Sequence, residues 1–229
     1  MNGVRLLIDT SKCIGCKACQ IACQQWHSLP SEDTTFTGTY ENPLDVSAAN
    51  LTVTKFFEVV DTKLNWLFFK DQCRHCNEPP CMKGCPLRAI IKQSDGIVRI
   101  DPVRCFPDRC SRNEVKPCQK ECKFDEIPRY RYMKAGILVA TKMRKCDFCY
   151  DRLAGGINSN ASKKPACQMA CPPAAISFGN ADPVLAEALS RLNYLKTHGL
   201  PQVKIYPEDS GSSTHVIWIL PKGEGVYGN

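Results

Sequence analysis

Cysteine is the residue that most restricts what this chain can fold into. The sequence contains 16 cysteines among 229 residues, and all of them fall into four short-spaced groups of four. In chain order the groups are Cys13, Cys16, Cys19 and Cys23; Cys73, Cys76, Cys81 and Cys85; Cys105, Cys110, Cys118 and Cys122; and Cys146, Cys149, Cys167 and Cys171. Such grouping indicates metal ligation or a disulfide framework, because ordinary packing does not require it.

Disulfide bonding is the weaker of these two explanations. Disulfide frameworks belong to small secreted domains and space their cysteines more widely. The chain starts MNGVRLLIDTSKC, which lacks the charged region, apolar stretch and cleavage site of a secretory signal. We therefore expect reduced cysteines that bind metal.

The spacing within the first group indicates which metal centre to expect. It is C-x2-C-x2-C-x3-C, the run in which three thiolates bind one cubane cluster and the fourth binds a second cluster. Zinc is the alternative, but zinc sites normally use two separated C-x2-C pairs. The first group therefore predicts 4Fe-4S ligation.

The other three groups are variants of the same pattern. The second is C-x2-C-x4-C-x3-C and the fourth is C-x2-C-x17-C-x3-C, each followed by proline, and the third is C-x4-C-x7-C-x3-C. We expect four 4Fe-4S clusters, although the widened loops of the third group also allow a 3Fe-4S core or an unusual potential there. Because the last cysteine of one group binds the cluster of another, the groups must pair into two-cluster ferredoxin modules. Spacing alone leaves the choice of pairs open.

The net charge of +7 first suggests nucleic acid as a partner. That value counts every cysteine as neutral, whereas an oxidised 4Fe-4S core with four thiolates carries a charge of about −2. Four clusters would bring the loaded chain to about −1. The net charge therefore no longer indicates nucleic-acid binding, and the sequence has no basic patch interleaved with aromatic residues. We expect no nucleic-acid partner.

Strand-like runs lead into the cysteine groups, and a helix follows them. Val4 to Asp9 precedes the first group, and Ile97 to Asp101 precedes the third. A segment inserted at residues 31–70 is polar at first and then strand-like. After the fourth group, Asp182 and Pro183 predict the start of a helix that continues to His198. Two strand-like runs at residues 203–206 and 215–220 complete a tail suited to docking on a partner. The fold class expected is an irregular α+β fold with two ferredoxin-like modules, an insertion, and a C-terminal helix and tail.

No catalytic constellation is visible. Ser/His/Asp, Walker and Rossmann signatures are absent, and Asp147 and Asp151 have no evident partner. His75, between two cysteines, is interpreted as facing solvent or backbone, with cluster tuning as the alternative. No apolar run approaches the ~20 residues needed to cross a bilayer. We therefore expect no catalytic residue and no direct membrane span.

The four groups in this order resemble the iron–sulfur beta subunits of molybdopterin oxidoreductases, which include formate dehydrogenase, nitrate reductase, dimethyl sulfoxide reductase and polysulfide reductase. The resemblance covers residues 4–180. Within that family, CQIACQQWHSLP at residues 19–30, CRHCNEPPC at 73–81 and KCDFCYDR at 145–152 look most like the small subunit of soluble formate dehydrogenases.

The resemblance implies a role in a larger complex. A large subunit would bind molybdopterin with tungsten or molybdenum, oxidise formate and pass electrons into this chain. A cytochrome or a membrane subunit would be the acceptor. The resemblance also implies a periplasmic location by export together with the large subunit, with the cytoplasm as the alternative. The other functions left open are the wiring subunit of another molybdopterin reductase, acting on sulfoxide, polysulfide or arsenate, and a free-standing polyferredoxin.

The resemblance further implies a nested pairing of the groups, first with fourth and second with third. The outer module would comprise residues 1–70 and 135–181, the inner module residues 71–134, and the helix and docking tail residues 182–229. The implied ligand sets are Cys13, Cys16, Cys19 and Cys171; Cys73, Cys76, Cys81 and Cys122; Cys105, Cys110, Cys118 and Cys85; and Cys146, Cys149, Cys167 and Cys23.

Overall fold

The computed structural model describes residues 3–124, 126–153, 163–208 and 213–227. In chain order the strands of these residues are β1 (Val4–Asp9), β2 (Thr52–Val60), β3 (Leu64–Gln72), β4 (Ile90–Lys92), β5 (Val98–Ile100), β6 (Arg129–Lys134), β7 (Ile137–Arg144), β8 (Ile176–Asn180), β9 (Lys204–Tyr206) and β10 (Val216–Leu220). The helices are α1 (Ala18–Trp26), α2 (Pro80–Lys83), α3 (Pro107–Cys110), α4 (Pro117–Lys120), α5 (Tyr150–Leu153), α6 (Ala166–Met169) and α7 (Ala181–Thr197).

The largest sheet joins the two ends of the chain. Its strand order is β8-β1-β10-β9, with β1 parallel to β10 and antiparallel to β8. Every residue of β10 is buried, as expected for a strand that is apolar on both faces and therefore lies inside a sheet. Trp218 of β10 stacks on Phe69 of β3, with ring centroids 5.1 Å apart.

The two strand-like runs near the C-terminus belong to the main sheet. They form β9 and β10, in the same sheet as β1. The hydrophobicity of β10 suits this place, because the sheet removes its apolar side chains from water. The division of the chain into two modules, a helix and a tail stays a prediction.

Helix α7 packs on this sheet and begins earlier than expected. The prediction placed Asp182 at the N-cap, whereas the helix starts at Ala181, directly after β8. The backbone N–H of Ala181 donates to the carbonyl oxygen of Gly3 at 2.9 Å, so the sheet edge and the helix start share this residue. Val184, Ala188 and Leu195 of α7 are buried against the sheet. Leu189 is 41% exposed and lies outside this buried face of the helix.

The strands outside the main sheet form three antiparallel hairpins. β2 pairs with β3, β4 with β5, and β6 with β7. The β6–β7 turn has positive φ at Ala135 (50°) and Gly136 (72°), the combination that a tight two-residue hairpin requires. The inserted segment contributes β2 and β3, and its buried Val46 packs against Cys73 and Ile127.

No helix among the described residues has both the length and the apolar character that a bilayer crossing requires.

The turn between β4 and β5 gives a first test of the fold. Gly96 has φ +89°, and a Cβ atom there would lie 2.0 Å from Cε1 of His215. His215 is buried, with Nδ1 2.7 Å from the carbonyl oxygen of Val4. Gly96→Ala is expected to lower the free energy of unfolding by about 3 kcal/mol or more, from backbone strain and overpacking.

Urea denaturation of the loaded protein would measure this loss. Gly136→Ala is the matched control, because its φ is +72° but a Cβ atom there has no neighbour within 4 Å. The loss of stability in Gly136→Ala should therefore come from backbone strain alone. Equal losses in the two variants would contradict the steric explanation.

Candidate metal centres

The cysteines follow one structural rule in all four groups. The third cysteine of each group is the second residue of a helix: Cys19 in α1, Cys81 in α2, Cys118 in α4 and Cys167 in α6. Proline begins α2 and α4 and immediately precedes α6, which suits a helix start because proline lacks the N–H that would be unpaired there. The repeat seen in the sequence is thus a repeat of local structure.

The C-x3-C spacing has a geometric consequence. Residues four apart lie on the same face of a helix, one turn from each other. In α1 this places Cys19 and Cys23 on one face. The structure nevertheless groups these two cysteines with different partners, so one helical turn connects two neighbouring sites.

The structure brings the sixteen cysteines together in four sets, which we call quartets A to D. Quartet A is Cys13, Cys16, Cys19 and Cys171; quartet B is Cys23, Cys146, Cys149 and Cys167; quartet C is Cys73, Cys76, Cys81 and Cys122; quartet D is Cys85, Cys105, Cys110 and Cys118. Each quartet takes three cysteines from one group of the sequence and one from another.

Three of the quartets surround cavities. These are quartets B, C and D. The other walls are apolar in D, for example at Ile90, and mostly apolar in C, for example at Val98, whereas the cavity of B is lined both by Phe148 and by the polar Lys70. Quartet A lies nearer the surface, where Cys16 is exposed.

The thiols of each quartet influence one another's ionisation. Burial, and after it the nearby charges of Cys19, Cys171 and Cys16, raise the pKa of Cys13 to about 11. In quartet C, burial and the charges of neighbouring cysteines raise the pKa of Cys76 to about 11 and that of Cys81 to about 12. A bound cation would therefore have to displace protons from these thiols.

Two quartets share a backbone turn that donates to sulfur. The N–H of Ala89 lies 3.3 Å from Sγ of Cys85, and the N–H of Ala175 lies 3.3 Å from Sγ of Cys171. The preceding residues, Arg88 and Ala174, have φ of 49° and 50°. Both turns follow a Cys-Pro pair, and this left-handed residue directs the next N–H toward the sulfur.

His27 and Asp147 are site residues that the sequence interpretation missed. It treated His27 as isolated and Asp147 as unpartnered, but Nε2 of His27 lies 3.4 Å from Oδ1 of Asp147 and 3.8 Å from Sγ of Cys149. Asp151 also has a partner, since Nε1 of Trp26 donates to its Oδ1 at 3.1 Å. No sequence signal reveals these pairs, because they are long-range contacts.

His75 is oriented toward the backbone, one of the two orientations expected. It is fully buried, its Nδ1 accepts the N–H of Val98 at 3.1 Å, and its ring stacks on Phe148 at 3.7 Å. Burial, and after it the charge of Lys145, hold the pKa of His75 well below its usual value. The ring is therefore neutral at physiological pH.

The donor set fits an iron–sulfur cluster. In quartets B, C and D four thiols surround a cavity, whereas one zinc ion needs all its sulfurs about 2.3 Å from a single point. Within the part of the chain that the structure describes, no three His, Cys, Asp or Glu side chains converge closely enough for one metal ion.

Comparison with known proteins agrees with this chemistry. Residues 6–25 match a 4Fe-4S binding domain, and residues 64–181 match a 4Fe-4S dicluster domain. The formate dehydrogenase iron–sulfur subunit (nitrate-inducible) of Escherichia coli is 37% identical over 219 residues, covering 95% of this chain and 68% of that protein. Formate dehydrogenase subunit beta of Megalodesulfovibrio gigas is 33% identical over 193 residues, covering 82% of each chain. Formate dehydrogenase 2 subunit beta (cytochrome c-553) of Nitratidesulfovibrio vulgaris is 35% identical over 228 residues, covering 96% of this chain and 94% of its own. The protein belongs to the family of formate dehydrogenase iron–sulfur subunits.

Proposed function

We propose that this chain conducts electrons for a formate dehydrogenase, from a catalytic subunit that binds molybdopterin with tungsten or molybdenum to an external acceptor. The observation that carries the proposal is the set of four cysteine quartets within one fold. Each quartet would hold one 4Fe-4S cluster, a group that accepts and releases single electrons. The chain itself would catalyse no reaction of formate.

Neighbouring quartets are connected in the order A, B, C, D. Cys19 and Cys171 of A pack against the same hydrophobic core as Cys167 of B. Cys146 of B packs against the cluster of residues that contains Cys73 of C. Quartets C and D share a third core. These shared cores support an electron path that runs from quartet A to quartet D.

Apolar side chains limit the access of water around quartet D. In quartet D, Ile90 and Met143 are buried and line the cavity with Phe106 and Pro107. Apolar walls lower the local dielectric and limit solvent access, both of which tune cluster potentials. The backbone N–H groups of Ala89 and Ala175 donate hydrogen bonds to cysteine sulfur atoms. Such hydrogen bonds also affect the cluster potentials.

Partners and location are part of the proposal. We propose that the chain forms a heterodimer with the catalytic subunit and that a cytochrome accepts its electrons. The second proposal is supported by the relative from Nitratidesulfovibrio vulgaris, whose name includes cytochrome c-553. We also propose export with the catalytic subunit to the periplasm, as the resemblance in the sequence implies. Cell fractionation decides between that compartment and the cytoplasm.

Anaerobic reconstitution of the isolated chain tests the proposal. We expect about sixteen irons per chain, since four complete quartets each hold one cubane. Alone, this chain should not oxidise formate. With the catalytic subunit and formate added, its visible cluster absorption should bleach as the clusters are reduced.

Several outcomes would contradict these expectations. About twelve irons, with Cys105, Cys110 and Cys118 open to a thiol reagent, would show that quartet D is empty. Zinc without visible cluster absorption would refute the iron–sulfur assignment. A partner inactive on formate but active on a sulfoxide, polysulfide or arsenate would show a different reductase.

A further inference from the structure

Two lysines are buried between the quartets without a carboxylate partner. Lys70 is 3% exposed and Lys145 is 5% exposed. Their hydrogen bonds go to neutral oxygens, and neither lysine forms a salt bridge within the described part of the chain. Lysine is almost never buried in this way unless an opposite charge offsets the loss of hydration.

Their hydrogen bonds leave donor capacity unused. Nζ of Lys70 donates to Oγ1 of Thr52 at 2.9 Å and to Oε1 of Gln72. Nζ of Lys145 donates to the carbonyl oxygens of Cys146, at 2.9 Å, and Val98. An ammonium group has three N–H donors. Each lysine therefore keeps one donor beyond its two contacts with neutral oxygens.

The remaining direction is toward the cysteines. Lys70 lines the cavity of quartet B, and Lys145 lines the cavity of quartet C. Nζ of Lys145 also donates to the carbonyl oxygen of Cys146, a cysteine of quartet B. Lys70 thus faces quartet B, and Lys145 faces quartets B and C.

We propose that Lys70 and Lys145 are fixed positive charges that raise the reduction potentials of the clusters in quartets B and C. This inference rests on the proposed function. A cluster gains one negative charge when it is reduced, so a fixed positive charge beside it favours the reduced form. Net charge and solvent exposure are established determinants of cluster potential.

Quartet B needs this compensation most. Three of its cysteines, Cys23, Cys149 and Cys167, are buried, more than in any other quartet. Burial in a medium of low dielectric disfavours the added charge of a reduced cluster. Without the lysines, the cluster of quartet B would be the hardest to reduce and would interrupt the path. It is also the quartet that both lysines face.

The arrangement predicts a specific pattern of shifts. Lys70→Met should lower the potential of cluster B, and Lys145→Met should lower those of B and C. At a fixed potential the ratio of reduced to oxidised cluster should fall at least tenfold, which is 59 mV for a one-electron couple. Cluster D should keep its potential in both variants, because Lys116, not these two lysines, lies near it.

Redox titration of the full reconstituted chain, followed by electron paramagnetic resonance, measures the four potentials. Lys70→Arg and Lys145→Arg keep the charge and should restore most of each shift. Lys196→Met, on the exposed side of α7, removes one positive charge at the surface and is the matched control. If the lysines had only a structural role, the methionine variants would lose clusters and would not show the predicted pattern of shifts in reduction potential.

The outcomes separate this inference from the proposed function. Absence of clusters in the unmodified chain would refute both. Four clusters in the unmodified chain, with methionine variants whose potentials match those of Lys196→Met, would overturn the inference alone. Equal shifts of cluster D in the lysine variants would also overturn it, because the effect would not be local.

Discussion

Replacing Cys171 with serine is expected to remove the cluster of quartet A, whose other ligands are Cys13, Cys16 and Cys19. Cys171 receives the N–H of Ala175 at 3.3 Å and lies in a fixed turn, so no other thiol can take its place. Iron content should fall from about sixteen to about twelve per chain, since one cubane holds four irons. The clusters of quartets C and D should keep their spectra, which electron paramagnetic resonance of the reduced variant can check.

Cys122→Ser is the matched variant, because Cys122 is also the last cysteine of its group. It should remove the cluster of quartet C, whose remaining ligands are Cys73, Cys76 and Cys81. The two variants should therefore remove different clusters, the first and the third in the order A, B, C, D. If Cys171→Ser instead damaged the cluster bound by Cys105, Cys110 and Cys118, the fourth group would pair with the third. The nested arrangement would then be wrong.

Pairing of this kind could not be obtained from cysteine spacing. Sequential pairing needs shorter loops, but loop closure costs only about 0.6 kcal/mol more for each doubling of length. The sheet supplies the missing constraint. β1 leads into the first group and β8 follows the fourth, and the two strands pair over Val4 to Ile8. This pairing holds the first and fourth groups together, although they are distant in sequence.

Local structure was predictable where the sequence has a strong period or a strong terminator. The strand Val4–Asp9 was predicted with its observed ends, and α7 ends at Thr197 before Gly199, near the expected end. Its start was predicted two residues late, because Asp182 and Pro183 form a good N-terminal signal in isolation. The hydrogen bond from Ala181 to Gly3 depends on the tertiary fold and overrides that signal.

The buried charges of the site were not predictable. Lys70 lies in a strand whose pattern gives no reason to expect an ammonium inside the core, and Lys145 reads as an ordinary lysine before a cysteine. Their surroundings come from distant segments of the chain. The same holds for His27, whose Nε2 lies beside Oδ1 of Asp147 although the two residues are far apart in sequence. Residue type and spacing identify the ligands, whereas the groups around them depend on the fold.

Removal of iron by a chelator under reducing conditions is expected to unfold the inner part of the molecule. At pH 7 the thiols would be protonated, because burial raises the pKa of Cys81 and Cys118 to about 12. Lys70 and Lys145 would then lose the negative charge that offsets their burial. Removing one partner of a buried ion pair costs about 3–5 kcal/mol. Two such losses are comparable to the whole stability of a domain, about 5–15 kcal/mol.

The loss should not be uniform along the chain, and hydrogen exchange can measure its distribution. The core around quartets C and D contains Cys81, Cys105 and Cys118 among its buried residues, so it cannot close without the clusters. The core between α7 and the main sheet contains no cysteine among its described residues. Amide protection should therefore disappear in α2, α4 and the β4–β5 hairpin but persist in β10 and α7. Protection that persists equally in both regions after complete iron removal would show that the clusters are not needed to hold the inner fold together.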